Sequence, residues 1–272
     1  MAIITISRGS YSRGRQVAER LGQRLGYKVI SREVLISTSE EFNIPEIKLK
    51  KALHNAPSVL DRFSYGKERY LAFIRANILE QLAQDNTIYH GLAGHAFIQG
   101  VSHELDVHIR ADFEDRINRY IEGVKQEEGK EVSEEAARYR LQKDDEERHK
   151  WSVHITGVDP CTPTNYDLIY NASKFKVDDI VESIAQFSEL PYLQTTAESQ
   201  KKIEQLMLAA LVKAAIVYEL PKAEVSCQDD VCYVNVNADV GLENHIQQIV
   251  KEKASSVKGI QDLKVYVAPF SG

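Results

Sequence analysis

The sequence predicts an α/β protein: a parallel sheet wrapped by helices, followed by a small α+β domain. Three observations predict it. Short apolar runs alternate with helical faces from Ile3 to about residue 188, the pattern of parallel strands joined by crossover helices. The first strand ends in a polar, glycine-spaced loop that runs straight into a helix. After Pro191 the order changes to helix, strand, strand, helix, strand.

The elements follow in order. Ile3-Ile4-Thr5-Ile6 reads as a buried strand, Ser7 to Gly14 as its loop, and Val17, Ala18, Leu21 and Leu25 as one face of a helix. Tyr27 to Ile30 is a second strand, and Ser31 stands where it could cap a helix over 32–41. Residues 45–66, with Pro45 and Pro57, predict short helices and a connection. Leu71, Ile74, Ile78, Leu79 and Leu82 give a helical face over 68–84, before a third strand, Thr87 to His90. Leu105 to Arg110 is a fourth strand, and Ala111-Asp112-Phe113 opens a helix carrying Arg116 and Arg119. The charged stretch Glu122 to Glu131 reads as a break. Ser133 caps a long polar helix to about Trp151, Gly157 to Asn165 is a loop, Tyr166 to Tyr170 a fifth strand, and Val177 to Phe187 a closing helix. Thr195 to Ser199 reads as a linker. A helix over 202–217 follows, then the hairpin runs 223–227 and 231–236, a helix over 242–255 and a strand over 263–267. The predicted domains are 1–190 and 197–272.

At 272 residues the chain can hold one large domain or two smaller ones. The net charge of −6 argues against a dedicated nucleic-acid binder, so no nucleic-acid partner is expected. No apolar run approaches the ~18 residues of a membrane span. No charged n-region with an apolar h-region precedes the first strand, so no export signal and a cytoplasmic location are expected. The cysteines are Cys161, Cys227 and Cys232. An odd number, few for the length, predicts a reduced chain with free thiols; Cys227 and Cys232 flank a short turn and could face each other across the hairpin, the alternative there being a redox-sensing disulfide. The composition leaves a homo-oligomer open.

Chemistry points to the first loop. Helix N-termini carry free N–H groups and the positive end of the dipole, so they attract anions. Arg8, Arg13 and Arg15 lie at this junction, and guanidinium groups grip phosphate with fixed paired donors. Gly9 and Gly14, followed by Arg15, have the spacing of a phosphate loop. Arg15 stands where lysine is usual, and Gln16 where a magnesium-binding Ser or Thr is usual.

These residues resemble a known family. Ser7-Arg8, Ser12 and Gly14-Arg15 match the S-R-E-Y-G-S-G-G-R-E loop of the cytidylate kinase-like family, a branch of the P-loop nucleoside monophosphate kinase fold. Arg15 in place of lysine is a trait of that family. Arg32-Glu33, Glu114-Asp115-Arg116-Ile117-Asn118-Arg119, Asp145-Glu146-Glu147-Arg148 and Asn165-Tyr166-Asp167-Leu168 with Asn171 match its later motifs in order. Departures are Tyr11 in place of a family glycine, and His90-Gly91-Leu92-Ala93 in place of V-G-R-G. The resemblance implies a P-loop kinase that uses ATP and Mg2+ to phosphorylate a small acceptor, such as a nucleoside monophosphate like CMP. Gly9, Ser10, Tyr11, Ser12, Arg13, Gly14, Arg15, Gln16 and Asn171 would hold ATP. Arg15, Arg116 and Arg148 would be catalytic. Arg8, Arg32, Gly91, Arg119 and Asp145 would meet the acceptor, with Asp145 also paired to Arg148. The ordinary alternative for these arginines is ion pairing on a helix surface. His90 and His95 read as loop residues, not metal ligands. The last 75 or so residues resemble a BON domain (αββαβ), which implies ligand or phospholipid binding. Two other functions stand beside the enzyme: a catalytically degenerate nucleotide-binding module acting through the BON-like domain, and a structural pairing of two domains.

Overall fold

The computed structural model describes residues 2–31, 66–91 and 94–269. The helix expected over 32–41, Arg32 itself, the 45–65 connection, and Leu92 and Ala93 lie outside the described residues. In chain order the main elements are β1 (Ile3–Arg8), α1 (Gly14–Leu25), β2 (Lys28–Ile30), α2 (Gly66–Leu82), β3 (Thr87–His90), β4 (Glu104–Arg110), α3 (Phe113–Glu128), α4 (Glu134–Thr156), β5 (Leu168–Asn171), α5 (Val177–Ser188), α6 (Ala197–Ile216), β6 (Glu224–Gln228), β7 (Val231–Asn237), α7 (Glu243–Ala254) and β8 (Asp262–Ala268). By contact, the described residues fall into two units: 2–31 with 84–91 and 94–196, and 66–83 with 197–269. Helix α2, inside the first domain by sequence, thus groups with the second sheet.

In the first unit β1 to β5 form one sheet in the order β2-β3-β1-β4-β5, and every pair is parallel. Parallel strands bury both faces, and β1 is an apolar run for that reason. Ile4 and Ile6 of β1 and Leu105, Val107 and Ile109 of β4 point to one face. There they meet Val17, Ala18 and Leu21 of α1 and Ile180, Val181 and Ile184 of α5. Each fully buried aliphatic side chain in this layer contributes about 1.5–3 kcal/mol. Helix α1 stops at Gly26, whose φ of 70° lies in the left-handed region that glycine enters without a Cβ penalty.

Helices α3 and α4 make a hairpin with a small core of Ile117, Ala137 and Leu141. Here the charged-break reading is corrected. Helix α3 runs unbroken through Glu122 to Glu128 and ends at Gly129, φ 67°. Its charged residues lie on solvated positions, and charge alone does not break a helix; the left-handed glycine does. Ser133 caps α4 as expected, accepting from the Ala136 N–H at 3.2 Å, but α4 continues past Trp151 to Thr156 and stops at Gly157. The expected linker is also shorter, because α6 already begins at Ala197.

In the second unit β6 and β7 are antiparallel, and β8 lies parallel to β7 after the α7 crossover. The hairpin closes through Asp229 and Asp230, φ 51° and 61°. Two left-handed residues make the turn whose twist suits a two-residue hairpin. Leu208, Val212 and Ile216 of α6 pack with Val234, Val236, Ile246 and Val250. Helix α2 packs on α6; the Phe73 and Tyr218 rings lie 5.7 Å apart, and the Arg69 guanidinium sits 4.8 Å over Tyr218. No described helix is long and apolar enough to cross a membrane.

The free-thiol expectation is overturned at Cys227 and Cys232, which form a disulfide. The tight turn dictates the register, and that register sets the two cysteines directly opposite each other. Cys161 is the free cysteine. In the chain-entropy account, closing so short a loop is worth about 2 kcal/mol. Reductant should therefore lower the melting temperature of the wild type by several degrees. It should leave a Cys227→Ser/Cys232→Ser double variant unmoved, as read by thermal unfolding with and without dithiothreitol.

Candidate functional site

The loop between β1 and α1 holds its shape by contacts from all sides. Tyr11 and Arg13 take φ of 59° and 66°, a region that costs a side-chain-bearing residue roughly 1–2 kcal/mol. Tyr11 stands where the family loop has glycine. Inside the loop, buried Ser12 donates its hydroxyl to the Gly9 carbonyl at 2.9 Å. At Gly14 a Cβ would come within 2.6 Å of Arg8 Cβ and Cδ, so only glycine lets the helix start this close to the strand. No side chain caps α1, and its first turn has no acidic residue. The helix terminus therefore stays electropositive.

Three arginines from the α3–α4 hairpin converge on this loop. Arg116, buried, donates from Nε to the Ser10 carbonyl at 2.7 Å and from both terminal nitrogens to Asp145 at 2.9 and 2.8 Å. Arg119 donates to the Tyr11 carbonyl at 3.2 Å and to Asp115 at 3.1 Å. Arg148 donates to the Arg8 carbonyl at 3.4 Å. The expected Asp145–Arg148 pair is thus corrected: the Asp145 carboxylate faces the Arg116 fork. Tyr11 stacks edge-on against Tyr120 of α3, with centroids 5.1 Å apart.

Beside the loop is a cavity of about 570 Å3 lined by Arg13, Gln16, Arg20, Arg119, Lys176 and Asp178, among others. Burial and then the Arg13 guanidinium push Arg119 below its ordinary pKa. Arg13, Arg20, Arg119 and Lys176 thus line one pocket at a helix N-terminus, together with the carboxylates of Glu122 and Asp178. Asn171 bridges the two strand-end loops nearby, donating to Asp112 at 3.1 Å and accepting from the Ser173 N–H at 3.0 Å.

Of the sequence-derived residues, Arg13, Gln16 and Arg119 line the cavity. Gly9, Ser10, Tyr11, Ser12, Gly14, Arg8, Arg116, Arg148 and Asp145 form or brace the loop. Arg15 turns outward, its side chain 72% exposed and paired with Glu19 at 2.7 Å. Gly91 follows β3, and a Cβ on it would strike the Tyr89 hydroxyl at 2.3 Å. Sequence reading missed Arg20 and Lys176. Lys176 directly precedes the closing helix at a strand's carboxyl end, and that position was the available signal.

It also missed the polar face of the sheet. Glu104, Asp106 and His108 alternate with the apolar core positions of β4, a period-two signal present in the sequence. Thr5 donates to Asp106, and Asp167 accepts from the Asp106 N–H at 2.8 Å. His95, buried and not merely a loop residue, lies edge-on to Tyr166 at 5.2 Å, with His108 at 4.8 Å from the same ring. Burial holds His95 low and, with Arg110 next, takes His108 to about 4. Burial raises Asp106 to about 6. Burial, then the Asp106 carboxylate, holds Glu104 far above the carboxylate range.

A parallel sheet of this order, with a glycine-spaced loop between its central strand and an electropositive helix end, defines a P-loop kinase domain. The chain belongs to the cytidylate kinase-like family, whose model matches residues 3–174. Among solved structures, an uncharacterized protein from Eubacterium ventriosum is similar, with a TM-score of 0.51 at 18% identity, covering 70% of this chain and 99% of that one. A shikimate kinase from Bacteroides thetaiotaomicron gives 0.42 at 12% identity, covering 70% and 99%. No curated protein matches the chain.

Two outcomes follow from the geometry. Asp145→Ala leaves the Arg116 fork without its carboxylate. The pair is buried on the arginine side and part-exposed on the other, so the loss should be about 2 kcal/mol in urea unfolding. The second concerns pH. Burial holds the Glu104 proton in the folded chain where the unfolded chain releases it, so this group's contribution to stability falls as pH rises, by up to about 1.4 kcal/mol per unit. Lys213, lowered to about 8 by burial, and the buried histidines bind fewer protons folded than unfolded, so between about pH 7 and 8 their contributions rise with pH and oppose that of Glu104. Glu104→Gln should remove the falling contribution, so its stability should change with pH more positively than that of the wild type in denaturant titrations across this window.

Proposed function

We propose that the first unit is an ATP-dependent phosphotransferase that moves the γ-phosphate to a small acceptor, with a nucleoside monophosphate such as CMP the first to try. The observation that carries this reading is the pair of guanidinium groups, Arg13 and Arg119, facing one cavity at the uncapped N-terminus of α1. An anion there relieves their repulsion and meets the helix dipole. Family membership supports the same chemistry.

The residues fit a nucleoside triphosphate. Arg13, Arg119 and Lys176 offer charge to phosphates, and the cavity has room for the remainder. The fit to magnesium is indirect. The Ser12 hydroxyl is turned onto Gly9 and Gln16 offers only an amide, so phosphate oxygens and water would supply most ligands. Bound Mg-ATP would supply the transferable phosphoryl group. Loop N–H groups would position it, and Arg116 and Arg148, already on the Ser10 and Arg8 carbonyls, would neutralise charge as it develops. Arg15 joins them only by leaving Glu19. Arg8, Arg32, Gly91 and Asp145 are the residues assigned to the acceptor, and Asn171 to the nucleotide. The αββαβ order of the second sheet supports the BON-like reading of 197–272 as a ligand-binding domain beside a kinase domain of 1–190. Mg-ATP as phosphoryl source goes with a cytoplasmic location, where the Cys227–Cys232 bond would be a labile state.

A second reading, nucleotide binding without turnover, is favoured by the Arg116 fork being filled by Asp145 and Ser10. Calorimetric titration with Mg-ATP tests both. Wild type should bind, and Arg119→Ala should bind roughly 10- to 100-fold more weakly, the value of a charge-assisted contact. ADP release that depends on an added nucleoside monophosphate supports transfer. Binding without release under any acceptor supports the second reading, and no binding at millimolar Mg-ATP overturns both.

A further inference from the structure

Near the C-terminal end of α4 and in the turn that follows it, three exposed side chains of different chemistry gather. They are the His149 imidazole, the Asp159 carboxylate and the Cys161 thiol, and one donor atom from each lies within 4.8 Å of the other two. We propose that they form a binding site for a borderline-soft divalent cation, Zn2+ being the natural occupant. This inference does not rest on the kinase reading: none of the three residues lines the cavity.

The donor set decides the metal class. Thiolate and imidazole are poor ligands for Mg2+ and Ca2+, which take oxygen, and good ones for Zn2+ and Co2+. Three protein donors with an open fourth position are the arrangement of zinc sites that keep a water. The backbone already holds the donors in place. His149 Nε2 is 3.2 Å from Asp159 Oδ1, and the Cys161 N–H donates to the same oxygen at 2.8 Å. The turn is braced by Asn165 Nδ2 on the Asp159 carbonyl at 2.7 Å and by the Tyr166 hydroxyl on the Pro160 carbonyl at 2.9 Å. Closing on a metal of ordinary bond length needs shifts on the order of 1 Å in exposed side chains. The empty site is not built for a reactive thiolate, because burial and then Asp159 push the Cys161 thiol up. A divalent cation reverses that balance. The thiol gives its proton to solvent as the sulfur–metal bond forms, the imidazole keeps its proton on Nδ1 and binds through Nε2, and the carboxylate and thiolate charges are neutralised. No electron moves. A bound ion would staple the last turns of α4 to the segment leading into β5.

The test uses the full-length protein, EDTA-treated, titrated with Co2+ and then Zn2+. The expected result is one equivalent bound, with a thiolate-to-cobalt charge-transfer band that Zn2+ displaces, and a melting temperature raised by Zn2+. Cys161→Ser should abolish the band, and His149→Ala should weaken Zn2+ binding at least 10-fold. Both residues are exposed, so both variants should melt as the wild type does in EDTA. The Cys227→Ser/Cys232→Ser variant should keep the band. No charge-transfer band in wild type, or a band that survives Cys161→Ser or vanishes with the Cys227/Cys232 pair, overturns the proposal.

Discussion

The Arg116 fork organises the first unit. One guanidinium spends all three of its nitrogen positions at once, on the Ser10 carbonyl and on both oxygens of Asp145. It thereby ties the loop after β1, the start of α3 and the middle of α4 at a single buried point. A guanidinium is suited to this because its fork is rigid and never loses its charge. Removing it from water is costly, and only complete pairing offsets that cost. The loop's two left-handed residues persist because neighbours over-determine them: Arg119 on the Tyr11 carbonyl, Tyr120 against the Tyr11 ring, Arg8 packed beneath Gly14.

That same fork explains a limit of sequence reasoning. The parallel sheet was legible because buried strands write themselves as apolar runs such as Ile3 to Ile6, and the loop because glycine spacing records a close approach at Gly14. The partner of Asp145 was not. Spacing on one helix offers Arg148 three residues on, whereas the true partner lies 29 residues back on another helix. Helix hairpins choose such partners by crossing geometry, which composition does not encode. Arg15 was misleading in a related way. Its place in the motif suggests phosphate, but a rotation of about 100° per residue around α1 carries its side chain to the outer surface and to Glu19. The cysteine count argued for free thiols, but the two-residue turn places Cys227 opposite Cys232, and geometry prevailed over compartment statistics.

The central sheet has two unlike faces. One is an aliphatic layer against α1 and α5. The other carries Thr5, Glu104, Asp106 and His108, with His95 and Tyr166 stacked over them. Burial keeps the imidazoles without their extra proton and Glu104 with its own, while Asp106, raised to about 6, still carries its charge at neutral pH. Positive charge at the carboxyl ends of the strands therefore comes from the arginines and the helix terminus, not from the histidines of the sheet.

The left-handed backbone at Tyr11 and Arg13 carries a further meaning. Neither residue prefers that conformation by itself, so the Ser12–Gly9 bond and the glycine at Gly14 do not hold the loop's form without its neighbours. The shape belongs to the assembled fold. A short synthetic peptide covering the loop would relax to ordinary extended and right-handed states and offer an anion no ordered cradle. During synthesis on the ribosome, too, the loop cannot take this form until α3 and α4 have emerged and folded back upon it, so any anion site here matures only after they do.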